Sequence, residues 1–507
     1  MQDQDERTPL LPEAESQPAA EENPNAGKPF WRRRVPQSLA LLGSLALVAL
    51  ALYALVWRSE SSHPPDFQPD FYHHINFVGN DICPSVWGNT SSYAGYIGMK
   101  GDSDDKPKRA FFWLFEAREG AATAPLIINV GGGPGSSGLA SPMMSPAPCS
   151  IGENGFMPSV HHYTDKYNLI ALDHPIGVGY SYGTHVKNST EAAYDAYDFL
   201  QKLFVLYPHF ARNRVVLMGA SYGGVFVPWM GKIIQEQNLL IAEGRGASGA
   251  AHINLDSLVI GNPFTDPLAH ARWDLHYRCE VSHIYNSTTC AELYGVLPSC
   301  LESIELALQD PVDMAGRARA EELCGTLAAG DTNHTSVENV KQECYSENEL
   351  DCLPIYSRMD TTLNDARVKQ ALGVPDDVAY LGYSPTVAKE FRGDTIYPHQ
   401  KLLEALILEG IRVLVHEGML DANCNNLGVL SFLKLLHTPY QADFLAALDI
   451  SWFYEGEKAG TVRSVGPGGT GTLTYLTIDE SGHSLVGDQP AYARWIVGRW
   501  IDGEAFA

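Results

Sequence analysis

Short apolar runs recur along the chain and alternate with segments whose apolar residues return at helical spacing. Uninterrupted apolar runs of about four to eight residues are typical of strands buried on both faces. We predict strands over Phe111–Phe115, Leu126–Ile128, Leu169–Leu172, Val215–Met218, Leu255–Ile260, Arg412–Val415 and Leu473–Ile478. We predict helices over Thr190–Tyr207, with Thr190 as a cap, from Val225 onward, and over Lys401–Leu408 and Tyr492–Ile501. Strands that alternate with helices predict an α/β fold with a mostly parallel central sheet.

Residues 263–355 interrupt this alternation, and we interpret them as an insertion, or cap, over the active face. Six of the nine cysteines lie between Cys279 and Cys352, together with a helical stretch at Glu302–Leu308. No C-x-x-C pair occurs, which argues against a zinc site, whereas clustered cysteines are typical of disulfides formed in an oxidising compartment. The odd number of cysteines implies at least one free thiol, unless one pairs with another chain.

The amino-terminal segment has the features of a membrane anchor. Residues 1–37 are polar and are expected to be a disordered cytosolic tail, whereas residues 38–57 contain the uncharged run Leu39–Trp57. About 20 apolar residues cross a bilayer as a helix. A cleaved signal peptide is the alternative, but its leading segment would be shorter and its apolar core only about 7–15 residues long. We therefore favour a transmembrane signal anchor, followed by a linker at residues 58–70 and a lumenal domain at residues 71–507.

Charges around the predicted span indicate its orientation. Arg32–Arg34 precede it and only Arg58 follows closely, so the N-terminus is expected in the cytosol, as in a single-pass type II protein. Four N-glycosylation sequons lie on the lumenal side, at Asn89, Asn188, Asn286 and Asn333. The segment Glu6–Leu11 resembles an acidic-dileucine signal for a vacuole or lysosome, although a chance pair of leucines explains it equally well.

The net charge narrows the range of partners. A formal charge of −25 argues against a nucleic-acid partner, because the phosphates would be repelled. The same charge suits a mildly acidic compartment, where part of it is neutralised. The membrane, through the predicted single span, is an expected partner.

The pentapeptide Gly219–Gly223 supplies the candidate nucleophile, Ser221. It reads G-x-S-x-G, follows the predicted strand Val215–Met218 and opens the helix that begins near Val225. A nucleophile elbow requires that order: a strand delivers the serine, a sharp turn exposes its hydroxyl, and a helix begins beneath it. The pentapeptide is weak on its own, because the pattern arises by chance in many chains of this length.

Two later residues are candidates for the groups that a serine nucleophile needs. A base must remove the hydroxyl proton, and an acid must hold the tautomer of the base. Asp421 and His483 follow predicted strands, in the order serine, acid, histidine of α/β-hydrolases. The alternative is that His483 is an ordinary structural residue among the 17 histidines of the chain.

The glycine-rich loop Gly131–Gly135 follows another predicted strand and is a candidate oxyanion hole. The backbone N–H groups of Gly133 and Tyr222 would face the negative charge that develops on the substrate oxygen. The loop also fits the dinucleotide pattern G-x-G-x-x-G, but no strand ending in an acid follows at the required spacing. We therefore expect neither a cofactor nor a metal.

Several longer motifs occur in the order found in serine carboxypeptidases, and the chain resembles that family from about Tyr93 to its C-terminus. The matching segments are Tyr93–Tyr96, Phe111–Trp113, Gly132–Gly135, Asp173–Tyr182, Ile260–Pro263 with Asp266–Pro267, Asp421 with Cys424–Asn425, and Gly482–His483 with Asp488 and Pro490. The resemblance implies an α/β-hydrolase fold and a triad of Ser221, Asp421 and His483. It also implies the disulfides Cys279–Cys290, Cys300–Cys324 and Cys344–Cys352 and a free thiol at Cys424, and it leaves Cys83 and Cys149 unassigned.

The chain departs from the family where the substrate is held. The family binds the terminal carboxylate of a peptide through an Asn before Gly-Gly-Pro-Gly, a Glu further along and a Glu just before the serine. In this chain the three positions are occupied by Gly131, which precedes Gly132, by Ser145 and by Ala220. Ser484 stands where the family has a Met after its histidine. Losing two or three contacts of about 1.5–3 kcal/mol each should weaken selection of a free carboxylate.

The sequence thus predicts a membrane-anchored lumenal serine hydrolase that resembles serine carboxypeptidases and removes C-terminal residues of peptides through an acyl-enzyme at Ser221. The alternative is an acyltransferase or esterase that keeps the triad but acts on a small acyl substrate instead of a peptide. A catalytically silent binding protein is a third interpretation, against which the retained Ser, Asp and His argue. The two Glu residues with which the family binds the substrate carboxylate are missing here. We therefore expect activity to differ little between about pH 5 and 7.

Overall fold

A large mixed β-sheet forms the centre of the protein. The computed structural model describes residues 70–88, 91–346 and 348–507. The strands are β1 (His73–Phe77), β2 (Ser92–Gly98), β3 (Lys108–Phe115), β4 (Leu126–Val130), β5 (Cys149–Gly152), β6 (Gly155–Pro158), β7 (Asn168–Leu172), β8 (Tyr182–Gly183), β9 (Val215–Ala220), β10 (Leu255–Gly261), β11 (Arg412–Gly418), β12 (Ile450–Tyr454), β13 (Glu457–Val465) and β14 (Leu473–Ile478). The main sheet has the order β1-β2-β3-β7-β4-β9-β10-β11-β14-β13-β12, with β8 beside β3, and β5 and β6 form a separate hairpin.

Helices lie between the strands of the centre and in a long segment between β10 and β11. They are α1 (Ser189–Leu206), α2 (Gly223–Ala242), α3 (Pro267–His276), α4 (Ser287–Gln309), α5 (Met314–Gly325), α6 (Pro354–Leu363), α7 (Ala366–Leu372), α8 (Pro385–Glu390), α9 (Gln400–Leu408), α10 (Asn426–Leu435), α11 (Gln441–Ala446), α12 (Leu485–Asp488) and α13 (Pro490–Asp502). Each strand and helix predicted from the apolar pattern coincides with one of these elements.

The prediction of a mostly parallel sheet is right at the centre and wrong at both edges. Strands β7, β4, β9, β10, β11 and β14 are parallel neighbours. At one edge β1, β2 and β3 pair antiparallel, and at the other β12 and β13 do so beside β14. Antiparallel strands need no helical crossover, and Glu455 and Gly456, both at positive φ, connect β12 to β13. This turn was missed in the sequence because it is not one of the usual Asn-Gly or Asp-Gly pairs.

Apolar runs form strands here because helices cover both faces of the sheet. Successive side chains of a strand point to opposite faces. Phe112 accordingly belongs to one apolar core with Leu217, whereas its neighbour Phe111 belongs to the other with Val216. Because both faces of the sheet are buried, its strands do not need to alternate apolar and polar residues, and they appear in the sequence as continuous apolar runs.

Helix α1 begins earlier than its sequence pattern indicated. Asn188 is the N-cap, and its side chain accepts a hydrogen bond from the backbone N–H of Glu191. The expected cap, Thr190, lies inside the helix instead. Asn is a better N-capping residue than Thr, so Asn188 caps the helix instead of Thr190.

The segment between β10 and β11 forms an apolar cluster of its own around Leu275, Cys300 and Ile304. The three disulfides implied by the family resemblance are present, and they are Cys279–Cys290, Cys300–Cys324 and Cys344–Cys352. Cys83 and Cys149 form a fourth disulfide, and Cys424 is a buried free thiol. Within this segment, Cys279–Cys290 fastens the start of α4 to the residues before it, and Cys300–Cys324 joins α4 to α5.

Two groups of predictions fall partly outside the described residues. In residues 70–88, 91–346 and 348–507, no helix combines the length and apolar character that a membrane span needs. The predicted span at residues 38–57 lies outside these ranges, as does the sequon residue Asn89. The side chains of Asn286 and Asn333 are exposed and Asn188 is half-buried, so their glycosylation stays a prediction.

Candidate active site

Ser221 occupies a tight turn between β9 and α2. Its φ of 59° lies in the left-handed region, which is unusual for a residue with a side chain. The turn is held by hydrogen bonds from Ser221 N to Gly261 O (2.9 Å) and from Gly224 N to Ser221 O (2.8 Å). A Cβ on Gly219 would lie 3.0 Å from Val227 Cγ2 and 3.1 Å from the Cα of Gly223, so the close packing at position 219 favours glycine. The pentapeptide therefore has the geometry of a nucleophile elbow.

His483 and Asp421 form a hydrogen-bonded pair beside this turn. His483 Nδ1 lies 2.6 Å from Asp421 Oδ2, and the carboxylate is fully buried. Ser221 follows β9, Asp421 follows β11 and His483 follows β14, and β10 alone separates the first two strands. The carboxyl ends of parallel strands meet at one edge of a sheet, so the topology brings these loops together.

A network of donors fixes the carboxylate of Asp421. Its Oδ1 accepts hydrogen bonds from the backbone N–H groups of Asn423 (2.7 Å) and Cys424 (3.0 Å). Its Oδ2 accepts one from the Asn262 side chain (2.7 Å) in addition to that of His483. Asn262 follows β10 and also donates to Glu417 (2.9 Å), whose burial raises its carboxyl pKa well above the usual value. With these oxygens saturated, the carboxylate holds one orientation of the imidazole.

The other ring nitrogen of His483 faces a second carboxylate. Nε2 lies 3.8 Å from Oε2 of Glu338, a residue of the insertion. Burial lowers the pKa of His483, but the charges of Asp421 and Glu338 raise it more, and the net result is a pKa well above that of a free histidine. Within the described residues, Ser221 Oγ makes no hydrogen bond to this nitrogen. Contacts between a catalytic serine and its base typically tighten when substrate binds.

The glycine-rich loop packs directly on the elbow. A Cβ on Gly132 would lie 2.6 Å from Ala220 O and 3.2 Å from Tyr222 N, so no larger residue fits there. Gly133 has a φ of +106°, which side-chain-bearing residues rarely adopt. The loop therefore lies where backbone N–H groups of an oxyanion hole belong, and the roles of Gly133 and Tyr222 stay predictions.

The side chain of Tyr222, the residue after the serine, is anchored on Asp394. Its phenol donates a hydrogen bond to Asp394 Oδ2 (2.7 Å), and burial raises its pKa well above the usual value. The same carboxylate oxygen accepts hydrogen bonds from Ser189 at the start of α1. The anchor links the turn that carries Ser221 to a second helix and so restricts its movement.

The predicted substrate-binding residues fall into two places. Gly131 and Ala220 flank the elbow, and a Cβ on Gly131 would overlap the backbone carbonyl of Ser136. Ser145 and Ser484 lie together near His483: Ser145 Oγ donates to Val486 O (3.1 Å), and Ser484 Oγ contacts Met144 Sδ. The substrate-binding roles of these residues stay predictions. The Gly131 position is nevertheless informative, because the loop has closed over the space that a side chain would need.

Sequence reasoning missed several residues at this site. Asn262 belongs to a family motif, Ile260–Pro263, that signalled its position but not its contact with Asp421. Two further residues carry no motif: Glu338 comes from the insertion, and Tyr356, whose hydroxyl lies 3.2 Å from Ser136 Oγ, comes from α6 directly after it. In the described residues, no group of three or more His, Cys, Asp or Glu side chains is arranged to hold a metal ion.

The strained serine turn, the parallel centre and the residues after its strands define an α/β-hydrolase fold. The family model described as serine carboxypeptidase matches residues 84–503, and the chain belongs to that family. Its relatives include carboxypeptidase Y of Schizosaccharomyces pombe, which is 29% identical over 430 residues. Carboxypeptidase Y homolog A of Talaromyces stipitatus is 30% identical over 441 residues.

The comparisons differ in how much of each relative they cover. The S. pombe match takes in 82% of this chain but only 41% of that protein, whereas the T. stipitatus match takes in 83% and 75%. Among solved structures, Kex1Δp, a prohormone-processing carboxypeptidase from Saccharomyces cerevisiae, superposes with a TM-score of 0.71. It is 21% identical, and the match covers 84% of this chain and 94% of that one. This likeness supports the fold.

Proposed function

We propose that the protein is a serine hydrolase that works through an acyl-enzyme on Ser221. His483 Nε2 takes the proton from Ser221 Oγ as that oxygen attacks the substrate carbonyl, and Asp421 stabilises the imidazolium. The backbone N–H groups of Gly133 and Tyr222 donate to the oxyanion. The Nε2 proton then passes to the leaving group as its bond to the carbonyl carbon breaks. Water next attacks the acyl-enzyme, with the same histidine as base, and frees the serine.

One observation carries the proposal. The 2.6 Å pair of His483 and Asp421 lies on loops that follow β14 and β11, at the same carboxyl-end edge of the sheet where β9 delivers a serine in the left-handed region. A buried His–Asp pair by itself is common as a structural ion pair. A serine strained in this way is not, because strain persists mainly where function requires it. The combination therefore favours a nucleophile and its base.

We propose a peptide C-terminus as the first substrate class, because the family is that of serine carboxypeptidases. Recognition of the free carboxylate is the weak point, since Gly131 and Ala220 offer no side-chain donor or acceptor. These two positions favour the second candidate, in which an ester or amide is cleaved, or its acyl group is transferred to another acceptor.

Labelling by an organophosphonate tests the proposed nucleophile. The full-length protein in detergent should be labelled stoichiometrically at Ser221, whereas Ser221→Ala should not be labelled. Absence of labelling in the wild-type protein would contradict the proposal and support a silent binding protein.

A matched substrate set then separates the two candidates. A blocked dipeptide, its amide and its ester share one acyl group and differ at the leaving side. We expect the amide and ester to be cleaved at least as well as the acid. Clear preference for the free acid would mean that other groups hold the carboxylate.

We also propose that residues 38–57 anchor the protein as a type II membrane protein of a vacuolar or lysosomal membrane. The charge asymmetry around the span and the sequons support this arrangement. In sealed microsomes the C-terminal part should be glycosylated and resist added protease. A soluble product that has lost its N-terminal segment would contradict an uncleaved anchor.

A further inference from the structure

The segment Ser336–Val340 of the insertion joins the two loops that carry the catalytic pair. We call residues 419–425 the acid loop and residues 479–484 the histidine loop. Backbone hydrogen bonds connect the segment to the acid loop, from Ala422 N to Val337 O (2.9 Å) and from Val340 N to Leu420 O (3.0 Å). A further one connects it to the histidine loop, from His483 N to Glu338 O (2.7 Å). The insertion thus contributes directly to the active site.

The histidine loop fits this segment closely. A Cβ on Gly482 would overlap Glu338 O and lie 2.7 Å from the Asn339 Cβ. Asn339 also donates through its side chain to Asp488 (3.0 Å), which in turn accepts from Gly482 N (2.7 Å). The backbone contacts therefore hold the loop in place without help from the side chain of Glu338.

The Glu338 carboxylate is left with one oxygen for the imidazole. Its Oε1 accepts a hydrogen bond from the Asn423 side chain (2.9 Å), which turns the carboxylate toward the catalytic pair. Its Oε2 accepts no hydrogen bond within the described residues and lies 3.8 Å from His483 Nε2. Nε2 is the nitrogen that must take the proton from Ser221. The carboxylate thus competes with the serine for that nitrogen.

The charges around this contact are mostly acidic. Asp421, Glu338 and Asp488 face His483 and favour its protonated form. Burial raises the pKa of Glu338, the charge of His483 lowers it, and Asp421 and Glu349 raise it further. The phenol of Tyr356 and the imidazole of His270 also lie within this field.

We propose that Glu338 is a positioning residue of the active site, whose carboxylate pairs with Nε2–H of the His483 imidazolium and holds the free enzyme in a form that cannot accept the Ser221 proton. The inference rests on the proposed function, because it assigns a role toward the same base. A negative charge beside Nε2 stabilises the imidazolium. The active, neutral form therefore appears only at higher pH, and removing the charge moves the acidic limb of activity to lower pH.

The test is the pH dependence of the rate at which an organophosphonate labels Ser221 in the full-length protein. Glu338→Gln keeps the shape and the Asn423 contact and removes the charge. We expect the midpoint of the acidic limb to lie at lower pH in this variant than in wild type. If the midpoint falls by one pH unit, the variant is labelled about tenfold faster than wild type at pH values well below the midpoints of both proteins. Glu338→Asp keeps the charge but withdraws it by one methylene, and should move the limb less in the same direction.

Glu480→Gln is the matched control. Glu480 pairs with Lys341 and so also joins the insertion to the histidine loop, but the pair is exposed. This variant should leave the midpoint unchanged. If Glu338→Gln lowers the rate equally at every pH without moving the midpoint, Glu338 has only a structural role and the inference is overturned. If wild type is not labelled at all, the proposed function fails instead. Should Glu338→Gln fail to fold, an unmoved midpoint in Glu338→Asp overturns the inference in its place.

Discussion

The two halves of the proposed active site are held by different parts of the chain. The serine half is formed by Gly131–Gly135 and Gly219–Gly223. It consists mostly of backbone atoms and of glycines that pack closely against each other. The histidine half is built from buried side chains, and the insertion segment Ser336–Val340 joins its two loops. The first half therefore depends on short motifs, whereas the second depends on residues that are far apart in the sequence.

This difference explains why the halves carry different kinds of information. A glycine in a tight loop admits almost no alternative, so the loop and the elbow are recognisable in the sequence. The groups that face His483 come from three separate segments, and one of them, Glu338, belongs to no motif. The chemistry of the site is thus set locally, and its tuning is set by tertiary contacts.

The largest expected effect comes from breaking the histidine half at Asp421. Asp421→Asn keeps the volume and removes the charge that holds the imidazole tautomer, and the labelling rate should fall about 10,000-fold. Stopped-flow or quench labelling of wild type and variant measures the ratio. A loss below about tenfold would mean that Asp421 is not the orienting acid.

Breaking the serine half should cost less. Gly132→Ala places a Cβ 2.6 Å from Ala220 O, which forces the loop away from the elbow. Displacing oxyanion donors typically costs about 100- to 1,000-fold in rate. Gly295→Ala is the control, because nothing lies within 4 Å of a Cβ at that exposed helical position. If both variants had the same activity, the glycine-rich loop would not form part of the oxyanion hole.

Restoring an acid beside the serine should change selectivity rather than rate. Ala220→Glu reintroduces a carboxyl group that can bind a terminal carboxylate when protonated. One charge-assisted contact of about 1.5 kcal/mol would raise the ratio of acid to amide cleavage about tenfold at acidic pH. Gly131→Asn should not restore selectivity, because its side chain would meet the Ser136 carbonyl. An unchanged ratio for Ala220→Glu would show that position 220 does not face the substrate terminus.

The smallest effect on the reaction is expected at the anchor of the elbow. Tyr222→Phe keeps the backbone N–H but leaves Asp394 without one of its donors. The free energy of unfolding should fall by about 1.5–3 kcal/mol, while the labelling rate changes less than about threefold. Tyr194→Phe, on an exposed side chain, is the control for stability. A large loss of rate in Tyr222→Phe would show that the anchor also positions the nucleophile.

The position of the acidic limb sharpens the comparison further. From the missing acid pair alone, the sequence led us to expect little loss of activity between about pH 5 and 7. The contact of Glu338 with His483 argues the other way, because it favours the protonated base as pH falls. The pH profiles of wild type and Glu338→Gln decide between the two expectations.

Much of the fold was predictable from the order of apolar runs. The central strands and the helices between them lie where the sequence placed them, because a strand buried on both faces leaves a continuous apolar record. The antiparallel hairpin β12–β13 and the cap at Asn188 were not predicted. An edge strand has one wet face and a weak pattern, and a cap depends on which of two nearby polar residues fits the geometry.

The sequence by itself determined the family and the candidates for the elbow, the acid and the histidine, and the family resemblance implied three of the disulfides. These features depend on residues a few positions apart or on motifs in a fixed order. Tertiary structure alone decided that Cys83 pairs with Cys149, that Asn262 bridges Asp421 and Glu417, and that Glu338 faces His483 Nε2. Electrostatic interactions act through space, so the charges around a catalytic base become known only when distant segments are brought together.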